Sequence, residues 1–258
     1  MPALEAAGVC QGYSLGKRGA SSWVQLLNDA SFDVRQGEVV AIEGGRLSGK
    51  TTLLKIAAGR TVPEAGSVRV GEVELRIASK RVRAKARKDG LIWVSRVGMS
   101  QKLHVSKMVG WPLITRRRGR RDAERRAAAM LERVGAAHCA RQRWDDLPRY
   151  EQVLVGLAQG FALEHPKLVV IDDLLDALTD PWHRQAADLL RSLIAEADGS
   201  CGVLMSVSDR RSSLYADRVW ALENGTLVPT AGHHDRHAEV VPLHPDRESG
   251  GSRHAGQG

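Results

Sequence analysis

Gly44-Gly45-Arg46-Leu47-Ser48-Gly49-Lys50-Thr51 fits the pattern GxxxxGK[ST], and its flanks have the character such a loop needs. Glu38-Val39-Val40-Ala41-Ile42-Glu43 before it reads as a buried strand, and Thr52-Leu53-Leu54-Lys55-Ile56-Ala57-Ala58 after it as a helix. Between a strand and a helix, glycines let the backbone curl until successive N–H groups converge on phosphate oxygens. The helix N-terminus adds its partial positive charge. In that arrangement Lys50 reaches the β- and γ-phosphates and the Thr51 hydroxyl ligates Mg²⁺, while Thr52 completes the candidate phosphate-binding set. A chance Gly-Lys-Thr in a turn lacks both flanks. The segment therefore predicts a site for a nucleoside triphosphate, or descent from one.

Such a loop needs an acidic group to hold Mg²⁺ from the far side, and its natural place is the end of a neighbouring parallel strand. Leu168-Val169-Val170-Ile171-Asp172-Asp173 provides four apolar residues ending in two carboxylates, with Asp172 as the candidate metal ligand.

Composition restricts the rest. The chain has 258 residues, 43% hydrophobic and 26% charged, which suits one soluble core with a smaller attached unit. No apolar run approaches the ~20 residues of a membrane span. The start, MPALEAAGVC, has neither a basic n-region nor an apolar h-region, so no secretory signal is expected. Cys10, Cys139 and Cys201 are far apart, match no metal-ligand spacing and read as reduced thiols. The net charge of +8 is concentrated in residues 80–88 (KRVRAKARK) and 116–126 (RRRGRRDAERR). These runs read either as solvated surface or as contacts for anionic headgroups or nucleic acid. No aromatic interleaves them, so base stacking on them is not expected.

Along the chain, Ala30, Phe32 and Val34 alternate onto one face of a strand, and Gln36-Gly37 turns it. Pro63-Glu64-Ala65-Gly66 reads as a turn, followed by alternating strands at Val68/Val70 and Val73/Leu75/Ile77. Helices are expected from near Asp122, with Ala127, Met130, Leu131 and Val134 at helical spacing, and again after Pro148. Val203–Val207 and Val219–Leu222 read as further buried strands, and Asn224-Gly225 as a hairpin turn. Residues 1–231 form the expected folded cassette, with a helical part at about 96–165. The polar stretch 232–258, with five histidines, is expected to be disordered. There is no internal repeat.

The loop and the acidic strand lie more than a hundred residues apart with a largely helical insert between them, a layout that resembles the ATP-binding cassette of ABC transporters. Asp29–Glu38 resembles the family's lead-in to the loop, Pro63–Val68 the stretch after the loop helix, and Ala216–Val219 with Glu223-Asn224-Gly225 the closing strands. The resemblance implies a P-loop NTPase α/β fold: a mainly parallel core sheet, an N-terminal antiparallel β subdomain and a helical subdomain. It implies ATP and Mg as ligands. Tyr13 falls where the family places an aromatic that stacks on adenine, with Trp23 a weaker candidate.

Several positions depart from the family. Arg96 stands at the position of a Gln that senses Mg²⁺ and the transport partner. The signature LSGGQ appears as Leu147-Pro148-Arg149-Tyr150-Glu151-Gln152, where Pro148 has neither hydroxyl nor N–H, and Arg149 and Tyr150 replace bare backbone. The catalytic Glu is Asp173, one methylene shorter, and the switch His is Ser208. Asp176–Pro181 resembles the family's D-loop with an offset of one residue. Lys50, Thr51 and Asp172 are intact while the groups that position water are altered, so binding is expected to survive and hydrolysis to be slow. Losing a positioned base or charge stabiliser commonly costs 10²–10⁴ in rate.

Cassettes of this family pair head to tail, each site joining one subunit's loop to the other's signature. Because both kinds of defect sit in one chain here, the expected assembly is a homodimer in which Arg149 supplies charge lost with the glycine amides. The resemblance further implies a separately encoded membrane permease and a cytoplasmic, peripheral position on the inner face of the cell membrane. The rival readings are a regulatory cassette that binds ATP without turnover and, suggested by charge alone, a nucleic-acid- or ribosome-associated cassette. The latter type generally carries two cassettes or zinc-binding insertions, so nucleic acid is not the expected partner.

Overall fold

The alternation of Ala30, Phe32 and Val34 is realised as the buried face of a long strand. β1 (Pro2–Leu15) and β2 (Ser22–Arg35) pair antiparallel along their length. The computed structural model describes residues 2–15, 22–96, 103–116, 119–179, 182–208 and 216–230. After β2 come β3 (Val39–Glu43), α1 (Lys50–Ala57), β4 (Ala65–Val70), β5 (Val73–Glu74), α2 (Lys80–Lys88) and β6 (Leu91–Ser95). Three helices follow: α3 (Val105–Ile114), α4 (Arg120–Arg133) and α5 (Arg149–Gly160). The chain closes with β7 (Leu168–Asp172), α6 (Trp182–Glu196), β8 (Gly202–Val207), β9 (Arg218–Glu223) and β10 (Thr226–Pro229). One sheet has the order β2-β1-β4-β5 and is antiparallel. The other has the order β10-β9-β3-β8-β7-β6, and only β10 runs antiparallel to its neighbour.

The period of two along the parallel strands divides the core into two layers. Val39, Ala41, Val169, Ile171, Val203 and Met205 face a cluster built with α3 to α6. Val40, Ile42, Leu168, Val170 and Leu204 face the opposite way, packing with Leu53, Leu54 and Ile56 of α1 and with the antiparallel sheet. Each of these buried side chains apart from Ala41 contributes about 1.5–3 kcal/mol through removal from water. The sheet is thereby held between two apolar slabs, and the C-terminal ends of β3, β6, β7 and β8 emerge together along one edge. Among the described residues no helix is long and apolar enough to cross a membrane.

Some expectations need correcting. The strand expected at Val73/Leu75/Ile77 ends at Glu74, because that carboxylate accepts from the Val68 and Arg76 N–H groups (3.0 and 3.1 Å) and bends the chain. Leu75 then drops into the core and Ile77 is left 78% exposed. Ala65-Gly66 are strand rather than turn: Gly66, at φ 86, sits where a Cβ would lie 2.3 Å from the Gly8 carbonyl oxygen. β9 buries Val219 and Leu222 but not Trp220 or Ala221, since beyond it lies only the short β10. The hairpin turn at Asn224-Gly225 is present, both residues having positive φ.

The basic run at 80–88 is α2, and its cations divide into two groups. Arg87 donates to the Gly59 carbonyl at 2.7 Å and Arg83 to the carbonyls of Leu75 and Ala78, whereas Lys80, Arg81, Lys85 and Lys88 are exposed. Arg116, at the start of the second run, caps α2 through the Arg87 carbonyl at 2.9 Å, and burial lowers its pKa. The stretch at 232–258 lies outside the described residues.

Candidate functional site

Parallel register explains how the site assembles. Glu43 lies opposite Val207, Ile171 opposite Met205 and Ser95 opposite Asp172, so the residues that follow each strand leave the sheet side by side. Gly44 continues from β3 with its N–H on the Val207 carbonyl (3.3 Å). The loop 44–49 then curls into α1. Gly49 adopts φ 105, which strains any side chain there, and its Cβ position would lie a tight 3.1 Å from the Leu26 carbonyl oxygen. Leu47 also has positive φ and is 91% exposed.

Lys50 is the first residue of α1, and its Nζ donates to the carbonyls of Gly44 (2.6 Å) and Gly45 (2.8 Å). Burial lowers the Lys50 pKa, and the carboxylates of Asp176, Asp172 and Asp173 oppose that shift. The Thr51 hydroxyl donates to Asp172, 3.1 Å from Oδ1 and 3.2 Å from Oδ2. An octahedral Mg²⁺ with ligands at about 2.0–2.1 Å places adjacent ligand oxygens ~2.9 Å apart, so this pair of oxygens can serve as neighbouring ligands with little movement.

Two contacts around Asp172 had no signal in the local sequence. Ser206, the lone hydroxyl among the apolar residues of β8, donates to Asp172 Oδ1 (2.9 Å) and accepts from the Asp173 N–H (2.9 Å). Arg96 turns to Asp173: Nη2 lies 2.6 Å from Oδ2, and Nε donates to the Asp173 carbonyl at 3.2 Å. Asp173 itself has φ 53, a left-handed conformation uncommon for a residue with a side chain. Ser208 donates its backbone N–H to Asp176 Oδ2 at 2.8 Å, and the second oxygen of Asp176 is buried with no hydrogen-bond partner among the described residues. Burial raises the Asp176 pKa, while the bond from Ser208 works against that rise.

These groups line one open cleft of about 1770 Å³, walled by Arg46 to Thr52, Arg96, Asp172, Asp173, Asp176, Ser206 and Ser208, with Val24 and Leu26 of β2 at one end. Trp93, which sequence reading passed over, also faces it, with the Arg60 guanidinium 5.3 Å from its ring centroid. Tyr13 is not among the lining residues. It is 41% exposed and lies directly across from Val24 in the β1–β2 pair. Trp23 folds over Gly12, where a Cβ would come within 2.5 Å of its ring.

The signature-position residues are also placed away from the cleft, at the start of α5. Pro148 is the N-cap; Arg149 is exposed and donates to Gln152 Oε1 (3.0 Å). The Tyr150 ring stacks on Trp182 with centroids 4.0 Å apart. Glu151 accepts from His138 Nε2 (2.7 Å), and buried Gln152 donates to the Trp144 carbonyl (3.1 Å). Of the D-loop stretch, Leu175–Ala177 forms a 3₁₀ turn, and residues 180–181 lie outside the described residues.

A lysine-bearing loop between strand and helix, with an acidic strand end beside it, defines the chain as a P-loop nucleotide-binding protein. Its family follows from the comparisons. The family model "ABC transporter" matches residues 27–175, more than half of the chain, and the chain belongs to that family as one of its ATP-binding subunits. It is 30% identical over 206 residues to the lipoprotein-releasing system ATP-binding protein LolD of Pseudomonas syringae pv. tomato, covering 80% of this chain and 89% of the relative. Similarity to the methionine import ATP-binding protein MetN of Nocardia farcinica is 29% identity over 241 residues, 91% of this chain and 68% of that protein. The fold matches the dimeric structure of MJ0796, a bacterial ABC transporter cassette, with a TM-score of 0.77 at 23% identity, over 87% of this chain and 96% of that one.

Proposed function

We propose that this chain binds Mg·ATP in the cleft and turns it over slowly. Two copies close head to tail around two nucleotides, driving a separately encoded permease from the inner face of the cell membrane. Lys50 and the loop amides from Gly44 to Thr52 hold the phosphates, Thr51 and Asp172 hold the metal, and Tyr13 extends the Val24 face toward the base. Bound Mg²⁺ would supply charge neutralisation across the β- and γ-phosphates. On binding, Lys50 exchanges the Gly44 and Gly45 carbonyls for phosphate oxygens.

The observation that carries the reading is a contrast within one site. Thr51, Asp172 and Ser206 form a connected set with every contact near 3 Å, while the Asp173 carboxylate is already committed to Arg96. A carboxylate held by a guanidinium is not aimed at an attacking water, and misplacement of about 1 Å can cost 10²-fold in rate. Ser208 has no imidazole to brace a γ-phosphate, and it meets Asp176 through its backbone. The same contrast favours the second reading, a regulatory cassette that binds ATP and does not turn it over.

Nucleotide binding and phosphate release measured side by side separate the two. The parent should bind ATP, and Lys50→Ala should weaken binding by about 10- to 100-fold, as expected for loss of a charged hydrogen-bond donor. Phosphate release above the Lys50→Ala background supports turnover; release equal to that background leaves the regulatory reading. If parent and variant bind ATP equally, both fail.

A further inference from the structure

Away from the nucleotide cleft, three side chains of metal-ligating type converge where the chain turns into α5. His138 and Cys139 lie on a 3₁₀ turn, Ala137–Cys139, and Glu151 is the third residue of α5. Their donor atoms all lie within 4.8 Å of one another. His138 Nε2 is 2.7 Å from Glu151 Oε1, and Cys139 Sγ lies within 4.8 Å of both donor atoms. Burial places these groups differently: the His138 side chain is 59% exposed and that of Glu151 22%, while Cys139 is fully buried.

We propose that His138, Cys139 and Glu151 form a Zn²⁺ site that clips the 3₁₀ turn to the first turn of α5. The mixed set of imidazole, thiolate and carboxylate is one that Zn²⁺ accepts in tetrahedral geometry. Bond lengths of about 2.3 Å to sulfur and 2.0–2.2 Å to nitrogen and oxygen put tetrahedral ligand atoms ~3.3–3.6 Å apart. The present triangle approaches that size by opening the short His–Glu contact, the other donor pairs lying within 4.8 Å. Glu151 rotates about several bonds and the His138 side chain is 59% exposed, so both can adjust, and solvent beside His138 would complete the coordination. Zn²⁺ would displace the thiol proton of Cys139 to solvent, and the Glu151 carboxylate would exchange its His138 contact for the cation.

The sequence hides this set because only two of its members are neighbours; a thirteen-residue span separates His138 from Glu151. Glu151 belongs to the segment aligned with the family's signature, so a bound ion would stiffen the helix start that the proposed dimer presents to its partner. None of the three residues lines the nucleotide cleft, which makes the two sites separable by experiment.

Co²⁺ titration of the full chain tests the site, because only a thiolate ligand gives near-ultraviolet charge-transfer absorption. Histidines in residues 232–258 cannot imitate that signal. One equivalent of Co²⁺ should produce the band, and one equivalent of Zn²⁺ should abolish it. Cys139→Ser should remove it and Cys10→Ser should leave it. His138→Ala and Glu151→Gln, both at partly exposed positions, should weaken Co²⁺ binding at least about tenfold while the apo protein keeps its melting temperature. Lys50→Ala should leave the band intact, so failure of nucleotide binding and failure of this site are distinguishable. A parent without the band, a band that survives Cys139→Ser, or Co²⁺ affinity unchanged by His138→Ala and Glu151→Gln overturns the proposal.

Discussion

The Arg96 guanidinium lies 2.6 Å from the Asp173 carboxylate, so two positions expected from the sequence to depart from the family are in direct contact. Parallel register places them together, with Ser95 opposite Asp172 and the next residue of each strand at the same edge. The pair is partly exposed, with side chains at 33% and 39%, and its worth lies in what it does to the carboxylate more than in stability. Each substitution alone reads as damage. Together they form a closed pair, which in the proposed function withholds a carboxylate from the attacking water.

A double-mutant cycle follows from that contact. Asp173→Glu alone should change ATP turnover little, because the longer side chain remains within reach of Arg96. Arg96→Gln alone frees Asp173 but leaves it a methylene short. The double variant should exceed the product of the single effects, raising turnover by about tenfold or more, toward the 10²–10⁴ typical of a positioned base. Phosphate release at saturating Mg·ATP measures it; strictly multiplicative effects would show the contact to be incidental.

Ser206→Ala tests the link beneath both carboxylates. Ser206 and Asp172 are buried, at 3% and 5% exposure, and the substitution leaves the Asp173 N–H and one Asp172 oxygen short of a partner. Outer-sphere partners of this kind are commonly worth 10–100-fold in metal affinity. The Mg²⁺ concentration giving half-maximal ATP binding should rise by about that factor; an unchanged Mg²⁺ requirement would remove Ser206 from the site.

Much of this was readable from local pattern. The loop 44–51, its two flanks and Leu168–Asp173 are contiguous segments whose chemistry is carried by neighbouring residues, and a linear reading recovers them. Ser206, Arg96 with Asp173, and Asp176 act through neighbours on other strands, so their roles depend on sheet order, which no single segment encodes. α3 was missed because Pro112 interrupts its helical pattern, although Val105, Met108, Val109 and Leu113 keep the spacing and are buried. α6 was legible and overlooked: Ala186, Leu190, Leu193 and Ile194 recur at helical intervals and form its buried face. The expected strand to Ile77 failed because a Glu74 side chain outcompeted the pairing that alternation alone promises.

Arg218 joins three strands and gives an acid-sensitive contribution to stability. It donates to Asp33 Oδ1 (2.9 Å), Asp33 Oδ2 (3.0 Å) and Glu38 Oε2 (2.9 Å), tying β9 to the end of β2 and the turn before β3. The Arg218 hydrogen bond holds the Asp33 carboxyl below its usual range, with burial opposing. A depressed carboxyl pKa contributes stability above the unfolded value of about 3.9, lost as pH falls through the lower folded value. Arg218→Ala should cost about 1–3 kcal/mol at pH 7, since Glu38 then keeps only the Arg35 N–H. Thermal melts should find that gap closing in strong acid; a gap equally large there would rule out the linkage.

Asp176→Asn should do the reverse. One oxygen of Asp176 accepts from Ser208 at 2.8 Å, and the other is buried without a partner among the described residues. Burial raises its pKa, so the ionised form is disfavoured in the fold. A raised carboxyl pKa means the penalty is absent below the unfolded value of about 3.9 and grows as pH rises through the folded value. Asparagine carries no charge, keeps an acceptor for the Ser208 N–H and presents an amide in place of the unpartnered oxygen. The variant should match the parent well below the unfolded value, at about pH 3, and melt at higher temperature in mild alkali, less whatever is lost with the attraction to Lys50. Melting temperatures across that range decide it. A variant less stable than the parent at pH 8 would mean that the Asp176 charge is held for Lys50 rather than tolerated beside it.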